Sequence, residues 1–233
     1  MPIGTIGRVK EIGRLFVVVG FRDGRIGYYA QRQLEPVPQS GGDAPYAPLG
    51  FDGEQVRYGS HLCLLPSTSR DLIEAVARYT AAGLAAGENC AGILPQGWIV
   101  RIREALEEMG AEAEAAEAEG RLTMRPIDSL YLAPADFTAE KQLARTKAAV
   151  LSLGQGNEAG ARLFGFGGPD LFCLPEWWEY EAGATALMKA TEVVALCAYE
   201  PGGWRSDQWS RAQAVHPYVV RKGEVLPGGA FAD

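Results

Sequence analysis

Past about residue 58 the chain changes between two hydrophobic rhythms. Leu62-Cys63-Leu64-Leu65 is an unbroken apolar run of the length of a strand buried on both faces. Pro66-Ser67-Thr68-Ser69 turns the chain, after which Leu72, Ile73, Val76, Tyr79 and Leu84 recur at helical spacing. Thr68 or Ser69 suits the N-cap of that helix, and Asp71 suits its positive N-terminal dipole. Gly87 closes the helix, and Cys90 to Leu94 reads as a second buried strand. Strand, tight turn, helix, strand is a βαβ unit. Open α/β sheets bind ligands at the strand ends, where such turns lie.

The alternation continues. A helix is expected from about Trp98 to Met109, with Ile99, Ile102, Leu106 and Met109 as its buried stripe. Ala111 to Glu119 fits either a solvated helix or a short strand, and Leu122 to Met124 reads as a strand. Asp136 or Thr138 caps a helix running to about Leu153, followed by a strand at Ala161 to Phe166. Trp177 to Thr191 is a further helix, with Trp178, Tyr180 or Glu181, Ala184, Leu187 and Met188 on successive turns. Val193 to Tyr199 is the clearest buried strand. Asp207 to Val215 makes a short helix, and Arg221-Lys-Gly turns a hairpin into the tail. Such an order predicts an α/β fold: a mainly parallel sheet flanked by helices and joined by right-handed crossovers.

The first residues obey a different pattern. Residues 1–38 read as a small all-β unit, with a hairpin signal at Arg22-Asp-Gly-Arg and a last strand near Gln33 to Val37. Its segments GTIGRVKEI, VVVGFRDGRIGYY and QLEPV resemble SH3-like barrels of the KOW or Tudor-like kind. Phe21, Tyr28 and Tyr29 would either fill its core or form a recognition platform. Residues 39–54, rich in Gly, Pro and small polar residues, read as a linker, leaving 55–233 for the α/β domain.

Composition narrows the function. The 233 residues carry a net charge of -7, and their basic residues are scattered. That disfavours direct nucleic-acid binding, which needs clustered Lys and Arg. No apolar run is long enough to span a membrane and the N-terminus lacks a signal-peptide core, so a cytoplasmic protein is expected. Four cysteines without CxxC spacing read as buried free thiols in a reducing compartment.

At the place of a phosphate loop the chain has Leu65-Pro-Ser-Thr-Ser-Arg-Asp71, without the glycines or the lysine that wrap and reach phosphates. An anion could still meet donors from Ser67 and Arg70 at this helix N-terminus. The two histidines offer other chemistry. His61 and Cys63 share one face of their strand, Cys197 and Tyr199 repeat that spacing, and His216 precedes Pro217. Were the strands neighbours, His61, Cys63, Cys197 and His216 would converge as ligands for zinc, copper or haem iron, unless they are plain core residues. Glu176 and Glu181 flank an aromatic cluster with Trp178, where a carboxylate would have a raised pKa and act as an acid or base, or line a pocket.

These motifs, taken in order, resemble the MEDS domain, the sensory domain of DcmR-type regulators. The pieces are His61-Leu-Cys63, Gly83-Leu84, Gly87-Glu88, Gly120-Arg-Leu122, Tyr131-Leu132, Phe137, Tyr180-Glu181, Leu196-Cys-Ala-Tyr199 and His216-Pro217, covering about residues 55 to 225. Two elements depart from the family pattern: Leu65-Pro66 where an aromatic is usual, and Phe164-Gly-Phe-Gly-Gly168. The resemblance implies a RecA/KaiC-like core without a phosphate loop, and a non-enzymatic small-molecule sensor of signalling or transcriptional regulation. Its ligand would sit near His61, Cys63, Tyr199 and His216, and its output would run through the barrel or a separate protein partner. RecA-like relatives often assemble, so a homo-oligomer is a further expectation. The alternatives are a degenerate nucleotide-binding enzyme and a metal- or haem-binding sensor; the cofactor itself is unknown.

Overall fold

The computed structural model describes residues 8–12, 17–20, 26–29 and 46–228, apart from 132, 156, 169 and 203. The first three segments are β1 (Arg8–Ile12), β2 (Val17–Gly20) and β3 (Ile26–Tyr29), paired antiparallel in that order. Among the described residues these strands form only an antiparallel meander, which does not by itself support the SH3-like barrel expected over 1–38. Its Phe21 and its last strand lie outside the described residues.

Next come β4 (Tyr46–Pro48) and β5 (Gln55–Arg57), an antiparallel hairpin. Of the linker expected at 39–54, residues 39–45 lie outside the described residues. Ala47, Leu49 and Phe51 are buried and belong to the main core, so residues 46–54 are packed structure. A Gly/Pro-rich composition signals turns, and these turns happen to carry apolar side chains onto a helix.

The α/β order then follows: β6 (His61–Leu64), α1 (Ser69–Ala85), β7 (Asn89–Leu94), α2 (Gln96–Glu108), α3 (Ala113–Ala118) and β8 (Leu122–Pro126). After two 3-10 turns come α4 (Ala139–Gly154), β9 (Ala161–Gly167), α5 (Trp177–Thr191), β10 (Val194–Tyr199), α6 (Ser206–Val215), β11 (Tyr218–Arg221) and β12 (Glu224–Pro227). Thr68 caps α1 by accepting from the Asp71 amide at 3.1 Å, and Thr138 caps α4 in the same way. The ambiguous Ala/Glu stretch is helical because Ala113 and Ala116 face the core.

Seven strands form one sheet in the order β12-β11-β6-β10-β9-β7-β8, parallel except for the terminal β11–β12 hairpin. Helices cover both faces. On one, α1, α2 and α3 bury Leu72, Val76, Ile102 and Leu106 against Leu62, Leu64, Phe164 and Leu196. On the other, α4, α5 and α6 bury Trp177, Tyr180, Met188 and Ala212 against Cys63, Ala195, Tyr199 and Val219. The mainly parallel, helix-flanked sheet read from the sequence is the observed one. No helix of the described residues is long and apolar enough to cross a membrane.

A buried ion pair ties the first face together. Arg162 on β9 and Glu88, just before β7, are both fully buried and bond through two contacts, Nε to Oε2 and Nη2 to Oε1. Arg162 also donates to the carbonyls of Tyr79 on α1 (2.6 Å) and Pro48 on β4 (3.1 Å), and it lies over the Tyr79 ring. Gly83, inside α1, leaves the space that the guanidinium occupies.

Candidate functional site

Strand alternation puts His61 and Cys63 on the α5 face of β6, and Cys197 and Tyr199 on the same face of the adjacent β10. α5 lays an apolar stripe of Trp177, Tyr180, Ala184 and Met188 over them, and Glu181 stands within that stripe. His216 immediately follows α6. Its ring Nδ1–H donates to the Ala212 carbonyl (2.7 Å), satisfying one of the free carbonyls of the last turn.

These elements bring four donor atoms together. His61 Nε2 lies 3.1 Å from Cys197 Sγ and 3.7 Å from Glu181 Oε2. His216 Nε2 lies 3.5 Å from the same carboxylate oxygen, and Cys197 Sγ 3.8 Å from it. All four atoms fall within 4.8 Å of one another. Three of the four are almost completely buried, His61 at 2 %, Glu181 at 1 % and His216 at 1 % exposure, and Cys197 is partly buried. The imidazole rings lean together, with centroids 4.3 Å apart.

The tautomers follow from the neighbours. The Thr185 hydroxyl, one turn after Glu181 on α5, donates to the Val215 carbonyl (2.9 Å) and therefore accepts from His61 Nδ1–H (2.9 Å). Both histidines thus present a bare Nε2 to Glu181. Among the described residues His216 Nε2 makes no hydrogen bond, and neither does the buried Tyr199 hydroxyl. Burial pushes the Glu181 carboxyl up to about 8, partly offset by the Cys197 thiol, which donates to it. Burial drives the His216 imidazole down to about 4, against its bond to Ala212, and drives His61 well below the usual range, with His216 adding to it. It also raises the Cys197 thiol, with help from Glu181.

A small enclosed cavity of about 20 Å³ adjoins the cluster, walled by His61, Glu181 and Cys197 and roofed by Ile93, Tyr131, Tyr180 and Met188. It has room for one water-sized ligand. Haem, one of the cofactors considered for these residues, does not fit there.

The expected site residues divide. His61, Cys63, Glu181, Tyr199 and His216 gather on this face. Cys63 stands outside the four-atom set, and Glu181 takes the place it was expected to hold. Ser67 lines a different, open pocket of about 400 Å³ across the sheet, between β6 and the start of α1, and Arg70 is exposed nearby. That pocket is walled by Asp52, Asp71 and Glu74 as well as Arg78 and Lys222, a mixed lining with no phosphate cradle. Glu176 accepts from the Ala139 amide (2.7 Å) and so anchors the start of α4. Trp178 stacks on Phe172, outside the cluster. Thr185 was not foreseen; its signal was the i, i+4 spacing from Glu181, which stacks two polar groups on an apolar stripe.

Residues 60–217, more than half of the chain, match the MEDS family, described as the methanogen/methylotroph, DcmR sensory domain. The chain belongs to the MEDS family. Among solved structures, this MEDS chain is similar to a KaiC-like protein from the hyperthermophilic archaeon Pyrococcus horikoshii OT3. The likeness has a TM-score of 0.51 and 14% identity over 79% of this chain and 80% of the other. At that identity the likeness establishes a RecA/KaiC-like fold and nothing more. No curated protein matches. The family's description suggests a sensory or regulatory role for the MEDS chain, and all four cluster residues lie inside the matched segment.

Proposed function

We propose that the protein is a non-enzymatic, cytoplasmic small-molecule sensor that reads its ligand at the buried His61–Glu181–Cys197–His216 cluster and passes the result to a protein partner. One observation carries this reading. Three buried ionisable side chains and the partly buried Cys197 meet beside a cavity, and two polar atoms there, His216 Nε2 and the Tyr199 hydroxyl, have no partner among the described residues. Unpaired buried polar groups cost about 1–3 kcal/mol each, so a fold that keeps them gains on binding something that pairs them. The cavity, with room for about one water-sized group, restricts that ligand to a very small molecule. Ligand binding would bear on α5 and α6 at once, because Glu181, Thr185 and His216 sit on or beside both helices. Nucleotide binding is less well supported, since the pocket at the β6–α1 turn has three carboxylates in its wall.

The test is a series of thermal melts of the full chain with small neutral and anionic molecules. Native mass spectrometry of the protein as purified would accompany it, to detect retained mass. Wild type should be stabilised by at least one of them, and Ala184→Leu, which fills the cavity wall, should lose the response. No retained mass and no stabilisation by any molecule would refute the reading.

A further inference from the structure

The geometry points to a transition-metal site built from His61 Nε2, His216 Nε2, Cys197 Sγ and a Glu181 carboxylate oxygen, with zinc the ion its donors suit best. The inference deepens the sensory reading above, on which its purpose rests, but its chemistry stands on the donor atoms alone.

First, the spacing is that of a coordination polyhedron. With zinc bonds of ordinary length, the edges of an N₂SO tetrahedron are about 3.3–3.6 Å. Four of the six donor separations are 3.1, 3.5, 3.7 and 3.8 Å, and the other two stay within 4.8 Å. An ion at the centre would need shifts of tenths of an ångström along most edges. Second, the imidazoles are presented as ligands. Each Nδ1–H is held by an oxygen, Thr185 for His61 and the Ala212 carbonyl for His216, which fixes the tautomer and aims the lone pair of Nε2 inward. Third, His216 Nε2 is fully buried, has no hydrogen-bond partner among the described residues and faces Glu181. A hydrogen-bonded core histidine would not be left so. Fourth, the mixed set of thiolate, imidazole and carboxylate excludes magnesium and calcium, which take oxygen ligands, and favours zinc over softer-site ions.

The ligands come from three separate elements, the β6–β10 pair, α5 and the end of α6. An ion would therefore bind two helices to the sheet. Glu181 is the one carboxylate in the set and lines the cavity, so it is the ligand a small incoming molecule would displace.

The experiment uses the full chain expressed with cobalt(II) in place of zinc, with metal content measured per chain and the visible and near-ultraviolet spectra recorded. One cobalt per chain and a thiolate-to-cobalt charge-transfer band are expected, with no small molecule added. Cys197→Ser should abolish that band, and Cys63→Ser, on the same face but outside the set, should keep it. Thr185→Val should weaken metal affinity by about 10–100-fold, since it releases the His61 tautomer. If Cys197→Ser does not fold, single Cys63→Ser, Cys90→Ser and Cys173→Ser variants decide the matter. Retention of the band in all three assigns it to Cys197, and its loss in any one overturns the site. No bound cobalt, or a band that survives Cys197→Ser, also overturns it. A bound ion without any ligand-induced stabilisation would sink the sensory reading and leave the metal site standing; the reverse result would do the opposite.

Discussion

His61 Nε2 reaches Cys197 Sγ at 3.1 Å, although the parallel register sets His61 level with Ala195 and Cys197 level with Cys63. The imidazole leans one pleat along the neighbouring strand. It does so because Thr185, above it on α5, holds the other ring nitrogen. Register alone pairs the two thiols. The helix overhead pairs the histidine with Cys197 and leaves Cys63 beside the set.

Thr185 is therefore expected to matter for stability as well as for orientation. Thr185→Val keeps the shape but strips the Val215 carbonyl of its donor and His61 Nδ1–H of its acceptor. Urea unfolding should show a loss of about 1–3 kcal/mol, the usual cost of leaving buried polar groups unpaired. Thr185→Ser, which retains the hydroxyl, should recover most of it. An unchanged Thr185→Val beside a destabilised Thr185→Ser would mean that the methyl group, and not the hydroxyl, is what counts.

Arg162 and Glu88 set a larger stake. Arg162→Met removes the partner of a carboxylate that is fully buried, and it also frees the carbonyls of Tyr79 and Pro48. Breaking such a pair costs about 3–5 kcal/mol, whereas replacing both members by apolar residues is often far milder. The double variant Glu88→Leu/Arg162→Met should thus unfold at higher denaturant than Arg162→Met alone. Chemical denaturation of the two proteins side by side checks this.

Gly83→Ala inverts an ordinary rule. Alanine in a helix interior is usually better than glycine by about 1 kcal/mol. Here the new Cβ would overlap Nε and Cδ of Arg162, whose guanidinium is pinned by Glu88 and cannot swing away. The variant should lose stability by about 1–3 kcal/mol, as overpacked cores do. In an Arg162→Met background the penalty should shrink, and a double-mutant cycle would measure the coupling.

Much of this architecture was legible in the residues, for stated reasons. Long amphipathic periods such as Leu72-Ile73-Val76-Tyr79 and short apolar runs such as Val193–Tyr199 dictate helix and strand directly, so the α/β order emerged intact. Alternation along β6 and β10 also put His61, Cys63, Cys197 and Tyr199 on one face. The sequence could not place α5 above that face, so Glu181 was seen as an aromatic-flanked carboxylate and not as the fourth member of the cluster. Glu176 caps α5 and reaches across to the start of α4, and Trp178, in the first turn, is drawn onto Phe172, so neither joins the cluster. The apolar side chains of 46–54 were lost behind their glycines and prolines. Their burial depends on α1, which periodicity cannot position.

Glu54, in the β4–β5 turn, gives the protein a pH dependence away from the cluster. Burial raises its carboxyl from 4.5 to about 7, and the nearby charge of Glu224 on β12 adds to the rise. One of its oxygens is buried without a partner. A carboxyl whose folded pKa lies above its unfolded one binds its proton more tightly in the fold, so its ionisation opposes folding. The full stability is present below pH 4.5 and declines as pH rises through the interval to about 7, above which the loss is constant. Because the group is only half-buried, solvent screening limits the effect to about 1 kcal/mol. Glu54→Gln, which cannot ionise, should flatten that part of the stability profile and leave the protein firmer than wild type above neutral pH. Melting temperatures of the two proteins, recorded at steps across the interval, test this directly. Parallel profiles for both would mean that Glu54 titrates as an ordinary surface carboxylate.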